Sequence, residues 1–152
     1  MDAEQAAVNI ERELLILVRH RDLTSPQRVP GGEGLERSAY VLLSRLEIQG
    51  PMSIPDFVDA FGLAASTINR QTAALLKDGL VERTLDPDGG VARKFRITRK
   101  GQECLAVERG KVVTGLAKVV ADWPPERLAN FVADLQQFNT DIEHLSGRPW
   151  PR

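Results

Sequence analysis

The stretch "STINRQTAALLKDGLVER", residues 66–83, opens on side chains suited to reading hydrogen-bond edges. Ser66, Thr67, Asn69, Arg70 and Gln71 crowd the first two turns of a segment whose inward residues, Ile68, Leu75 and Leu76 with Thr72 completing the stripe, fall at helical spacing. If that stripe faces a core, the five polar residues stand on or near the outer face. Arg70 carries a planar fork that matches the two major-groove acceptors of guanine, and Asn69 or Gln71 can pair with adenine in the same bidentate way. Any of them can instead contact phosphate, which positions a protein without specifying sequence. A second cationic group, Arg93, Lys94 and Arg96, follows in "VARKFRI". Charges there suit backbone or minor-groove contact, and charge on an edge strand also guards against aggregation.

Other chemistry is sparse. No GxSxG, HExxH or phosphate-cradling glycine loop occurs, so no enzyme is expected. Cys104, the single cysteine, does not form a zinc spacing with His20 and His144, and neither a metal nor a cofactor is expected. A redox role for Cys104 would need a depressed thiol pKa and access, and Lys100, one turn back, is its one nearby cation in sequence; the thiol reads mainly as inert. His20 and Tyr40 can line an effector cleft or merely satisfy local hydrogen bonds.

The elements that must position these residues follow from periodicity. Residues 4–21 predict a helix with Ile10, Leu14, Leu17 and Val18 on one face, and 22–34, with two Pro and three Gly, a loop. Leu35–Gln49 predicts a second helix, stopped by Gly50-Pro51. Ser53 then stands at an N-cap with Asp56 three residues on, a near capping box, before a short amphipathic helix over 54–61 closed by Gly62. Short helix, glycine turn, second helix is the helix-turn-helix pattern, whose second helix enters the major groove by its N-terminal end. Ser53 is counted with the residues that face nucleic acid. Strands over Leu80–Leu85 and Val91–Ile97, joined by "DPDGG", predict a hairpin with Phe95 and Ile97 inward. Thr98 caps a long helix to about Ala121, Trp123-Pro124-Pro125 breaks it, and Leu128, Phe131, Val132, Leu135, Phe138, Ile142 and Leu145 mark a last amphipathic helix. The tail "SGRPWPR" is expected to fray.

Charge is distributed unevenly along the 152 residues. Residues 65–100 hold eight Lys/Arg against four acids, and residues 122–144 hold one Arg against five acids. One face suited to a polyanion, and another that is not, fits this split. No apolar run approaches the roughly 20 residues that span a bilayer, and the acidic start lacks a signal pattern, so a cytoplasmic protein without membrane contact is expected.

The order of parts, with "LLKDGLVER" and, after the hairpin, "ITRKG", resembles the MarR family of bacterial transcription regulators over nearly the whole chain. The resemblance implies a mainly α fold with a small β-hairpin wing. It would form one domain over 1–152, with a winged helix-turn-helix part at 35–97 and dimerisation helices at 4–21 and 98–146. It also implies a homodimeric, effector-responsive regulator that binds a pseudo-palindromic operator in double-stranded DNA, with a small aromatic or phenolic ligand in many members. A winged-helix protein-interaction module and a thiol-based redox-sensing regulator are the alternatives. Two departures stand out. Gly90 and Val91 occupy the place of the family's wing Arg, so Arg93 or Lys94 would substitute for it. Ala64-Ala65 replace the usual Ser-Pro at the start of the reading helix, and an Ala cap costs about 1 kcal/mol relative to Ser.

Overall fold

The computed structural model describes residues 1–24, 26, 34–84 and 93–152. Its elements are α1 (Ala3–Val18), α2 (Arg21–Thr24), α3 (Arg37–Gln49), α4 (Ile54–Phe61), α5 (Ala65–Lys77), β1 (Val81–Thr84), β2 (Lys94–Ile97), α6 (Arg99–Val119) and α7 (Pro125–Ser146). The hairpin turn expected at "DPDGG" and the strand ends at 85 and 91–92 lie outside the described residues.

A single apolar cluster organises the centre. Leu42, Leu43 and Leu46 of α3, Met52, Phe57 of α4, Ile68 and Leu75 of α5, Leu80, Val81, Phe95 and Leu105 of α6 pack together. Ile68 and Leu75 are inward as the helical spacing of that segment predicts, and Phe95 as strand alternation predicts. α3 packs on α5, β2 and α6, and α4 packs on α5. β1 and β2 pair antiparallel in the register Val81↔Ile97 to Thr84↔Lys94. Met52 adds an isolated bridge: its N–H donates to the Phe95 carbonyl at 3.0 Å and its carbonyl accepts from Phe95 N–H at 2.8 Å. The connector between α3 and α4 thereby ties the hairpin to the helical core.

Three sequence expectations change. The first helix ends at Val18, where Arg19 and His20 donate back to Ile16 and Leu17 in tight three-residue turns. Residues 22–24, expected as loop, join Arg21 in the one-turn α2, which packs on α6 with Leu23 beside Gly115. Most altered is the tail, which folds back rather than fraying. Gly147 ends α7 at φ +67, a left-handed conformation that glycine adopts without strain. Trp150 then packs on Phe61 at 6.1 Å between ring centroids, and the Arg45 guanidinium lies 5.1 Å from the indole. Arg45 Nη1 donates to the Pro149 carbonyl at 3.2 Å, and Nε donates to Gln49 at 2.7 Å. Arg152 closes the structure on Glu143 with bonds of 2.7 and 3.1 Å. Those bonds, with a further one from Trp150 N–H, hold the Glu143 carboxyl below its ordinary pKa.

Candidate nucleic-acid interface

The turn between α4 and α5 is built from both sides. Ser53 and Asp56 form the complete capping box: the Ser53 hydroxyl accepts from Asp56 N–H at 3.2 Å and the Asp56 carboxylate accepts from Ser53 N–H at 2.8 Å. That duty buries Ser53, so it is not displayed as a surface contact. Gly62 closes α4 at φ +64 and turns the chain into α5.

α5 begins without help from a side chain. Ala64 is its cap residue and makes no side-chain bond, as the Ala-Ala start predicts. The first N–H groups of a helix have no partner within the helix, and here no cap side chain takes one. Their partial positive charge stays available to an anion. Ile68, Thr72 and Leu75 face the core, and the Thr72 hydroxyl donates back to the Ile68 carbonyl at 2.9 Å, which satisfies its polar group inside an apolar cluster.

The five polar residues separate once the helix is set on that stripe. Ser66, Asn69 and Arg70 are exposed, and Thr67 is half-buried on a flank. Gln71 departs from the outer-face expectation: it is half-buried, with its carbonyl oxygen shielded from solvent. Its position lies three residues after Ile68 and four before Leu75, which rotates it toward α3. There it lines a 230 Å³ cleft with Leu35, Ser38, Ala39 and Ala74, at whose edge Arg70 also stands. Asn69 spends one amide hydrogen on the Ala65 carbonyl at 2.9 Å, which holds its side chain along the helix.

The hairpin cations are also unequal. Arg93, just before β2, is exposed. Lys94 is half-buried opposite Thr84. Arg96 pairs across the strands with Glu82 at 2.6 Å, both side chains about half exposed, so its charge is met within the hairpin. Phe95 is buried and Ile97 half-buried, as strand alternation predicts, and Arg83 rides over the Phe95 ring at 5.6 Å.

"ITRKG" proves to be the joint between hairpin and α6. Thr98 accepts from Gly101 N–H at 3.0 Å and donates to the Gly79 carbonyl at 2.7 Å. Lys100 Nζ donates to the Asp78 carbonyl at 2.7 Å, at the C-terminal end of α5, where a cation is favoured. Lys100 therefore fastens α5 at its far end.

A second cleft, of 550 Å³, opens between the start of α3, the end of α5 and α6. Leu35, Leu80, Lys100, Cys104, Glu108 and Lys111 are among its walls. Glu108 is buried and pairs with Lys111 at 2.9 Å. Cys104 is half-buried on this wall, and a chain with one cysteine cannot close an internal disulfide. Neither His20 nor Tyr40 borders the cleft. His20 is exposed at the joint of α1 and α2, while Tyr40 packs on the core cluster. Near Tyr40, Arg109 bonds Glu47 at 2.9 Å. Burial works to lower the Arg109 pKa, but Glu47 and Tyr40 together raise it.

Comparison with known proteins agrees with this arrangement. Residues 35–89 match the model of the MarR family. An uncharacterised HTH-type transcriptional regulator, YxaD of Bacillus subtilis, is 32% identical over 130 residues, covering 86% of this chain and 90% of that protein. Among solved structures, a MarR family protein from Bacillus stearothermophilus superposes with a TM-score of 0.77 at 20% identity, covering 93% of this chain and 99% of the other. The PcaV transcriptional regulator of Streptomyces coelicolor, solved in complex with its natural ligand, gives 0.63 at 18% identity, with coverage of 94% and 98%.

Proposed function

Because the chain belongs to the MarR family of transcriptional regulators, we propose that it binds a pseudo-palindromic operator as a homodimer and answers to a small ligand. The observation that carries this reading is the uncapped start of α5, which presents Ser66, Asn69 and Arg70 to solvent while its other face is locked into the core. Two such helices related by a twofold axis would enter successive major grooves about one helical turn apart. Arg70 would read a base edge, Ser66, Thr67 and Asn69 would support it, and Arg93 and Lys94 would hold phosphate or the minor groove. Self-association is supported by α1 and α7, which bury none of their residues within the chain and carry long apolar stripes. For the ligand, the 550 Å³ cleft beside Cys104 is favoured over a site at His20 and Tyr40, since it combines apolar walls with Lys111 and Glu108. A small aromatic or phenolic ligand suits the apolar walls. The same cleft would join a ligand to the end of α5 through Asp78 and Lys100.

Selection of bound duplexes from random DNA tests the central reading. The expected result is an inverted repeat with half-site centres about 10 base pairs apart. Recovery of no common sequence, or of one unpaired half-site, would refute it.

A further inference from the structure

The C-terminal tail is a built contact that reading the helices leaves unused. α7 buries none of its own residues, yet the six residues that follow Ser146 reach two helices of the reading head. Trp150 packs at a tilt on Phe61 at the end of α4, and Arg45 in the middle of α3 grips both the Trp150 ring and the Pro149 carbonyl. Arg45 is itself buried, so this cation depends on the tail for part of its satisfaction. The Arg148 guanidinium covers Gly62, where an added Cβ would lie 2.7–2.9 Å from it. On the other side, Glu143 holds Trp150 N–H at 3.1 Å and Arg152 by two bonds, which fixes the tail to α7. Taken in series, these links join the last helix through the tail to α3 and to the end of α4.

From this geometry we infer that residues 147–152 act as a strap, with Trp150 as its positioning residue, setting the angle between α7 and the reading head and so the separation of the two heads over DNA. The inference rests on the dimeric reading above. In a two-headed binder, the second half-site is engaged from an effective concentration that depends on how stiffly the heads are joined. A stiff joint matched to the operator gives tight binding and rejects wrong spacings. A loosened joint leaves each head intact but lowers the two-site affinity and widens the spacing it accepts.

The test compares the full-length chain with its Trp150→Ala and Trp150→Phe forms. In a Cys104→Ser background, nitroxides at Lys77→Cys and Ala133→Cys, diluted with unlabelled chain, read the intrachain distance between α5 and α7. Duplexes recovered by selection, the same duplexes with the spacing lengthened by one base pair, and single half-site duplexes supply the binding arm. Trp150→Ala should broaden the distance distribution and leave single half-site affinity unchanged. It should weaken two-site binding about tenfold and reduce discrimination against the lengthened spacer; Trp150→Phe, which keeps a ring against Phe61 and Arg45, should restore all of these. An unchanged distribution overturns the strap. So does an equal loss on single half-sites, which would mean local damage to the head, and so does a broadened distribution with unchanged two-site binding. Should the parent chain select no DNA at all, the proposed function fails, and the distance distribution alone then decides the strap.

Discussion

Arg70 stands where the outer face of α5 meets the mouth of the cleft with α3, and among the described residues its guanidinium has no ion pair. A fork without an ion pair among the described residues is available for two acceptors at once, and guanine offers two in the right geometry. Arg70→Ala is expected to cost about 1–3 kcal/mol at one base position in each half-site, measured against all single-base variants of the selected operator. A uniform loss over every variant would make Arg70 a phosphate clamp instead. The wing cations divide by the same reasoning. Arg93 is exposed and precedes the strand, whereas Arg96 is neutralised by Glu82 at 2.6 Å. Arg93→Ala should lower the log–log salt slope of binding by about one unit, while Arg96→Ala should leave it near that of the parent. An Arg93→Ala slope equal to that of the parent would remove Arg93 from the interface.

At the scale of elements, the sequence is most legible where burial imposes a period. The stripes of α3, α4, α5 and β2 all point where their spacing says, because each must place apolar side chains in one core. The capping box at Ser53 is likewise local, written within four residues. What stayed illegible depends on partners distant in sequence. Arg45 and Pro149 are 104 positions apart, and nothing near either residue marks their hydrogen bond. Met52 bridges Phe95, a partner that is likewise outside its local stretch of chain. Gln71 is half-buried rather than on the outer face for a subtler reason: period alone cannot say how far α3 wraps around α5. "ITRKG" was legible as a pattern, and its physical meaning came with the fold. A Cβ at Gly101 would fall inside the contact distance of the Leu80 carbonyl oxygen and lie 2.8 Å from Ile97. The backbone there cannot yield as a flexible side chain would. Gly101→Ala is therefore expected to destabilise the protein by about 1–3 kcal/mol, read by urea unfolding. Gly110→Ala, in the same helix with nothing within 4 Å of its added carbon, should instead be neutral or stabilise by up to about 1 kcal/mol. Matching values for the two would show that α6 does not need its close approach to Leu80.

Across the whole molecule, the head and the two terminal helices differ in how they treat apolar surface. The head hides Phe57, Leu43, Met52, Ile68 and Leu105 completely. By contrast, Leu15 of α1 remains 63% exposed, and Phe131 and Leu135 of α7 remain 49% and 47% exposed. Ile10, Leu14, Phe131, Leu135 and Phe138 line one groove of 400 Å³ between these helices. An apolar surface shared by two helices and rimmed by polar residues is the kind that marks an interaction site. Pairing with a second copy would cover it, and an interface made from two long helices per chain would exceed roughly 2,000 Å², the range of obligate dimers. Twofold symmetry doubles the effect of any change there, since each residue enters the interface twice. Leu135→Asp would place two carboxylates in that groove, against Asp134 already at its edge. An uncompensated buried charge costs about 3–5 kcal/mol, and each factor of ten in dissociation constant is about 1.4 kcal/mol. The variant should thus dissociate at concentrations at least a hundredfold above those at which the parent stays paired, and should lose two-site DNA binding with it. Sedimentation at low micromolar concentration measures this directly. A parent chain that sediments as a stable, folded monomer would contradict the dimeric reading, and a Leu135→Asp chain that remains paired would move the interface away from the α1–α7 groove.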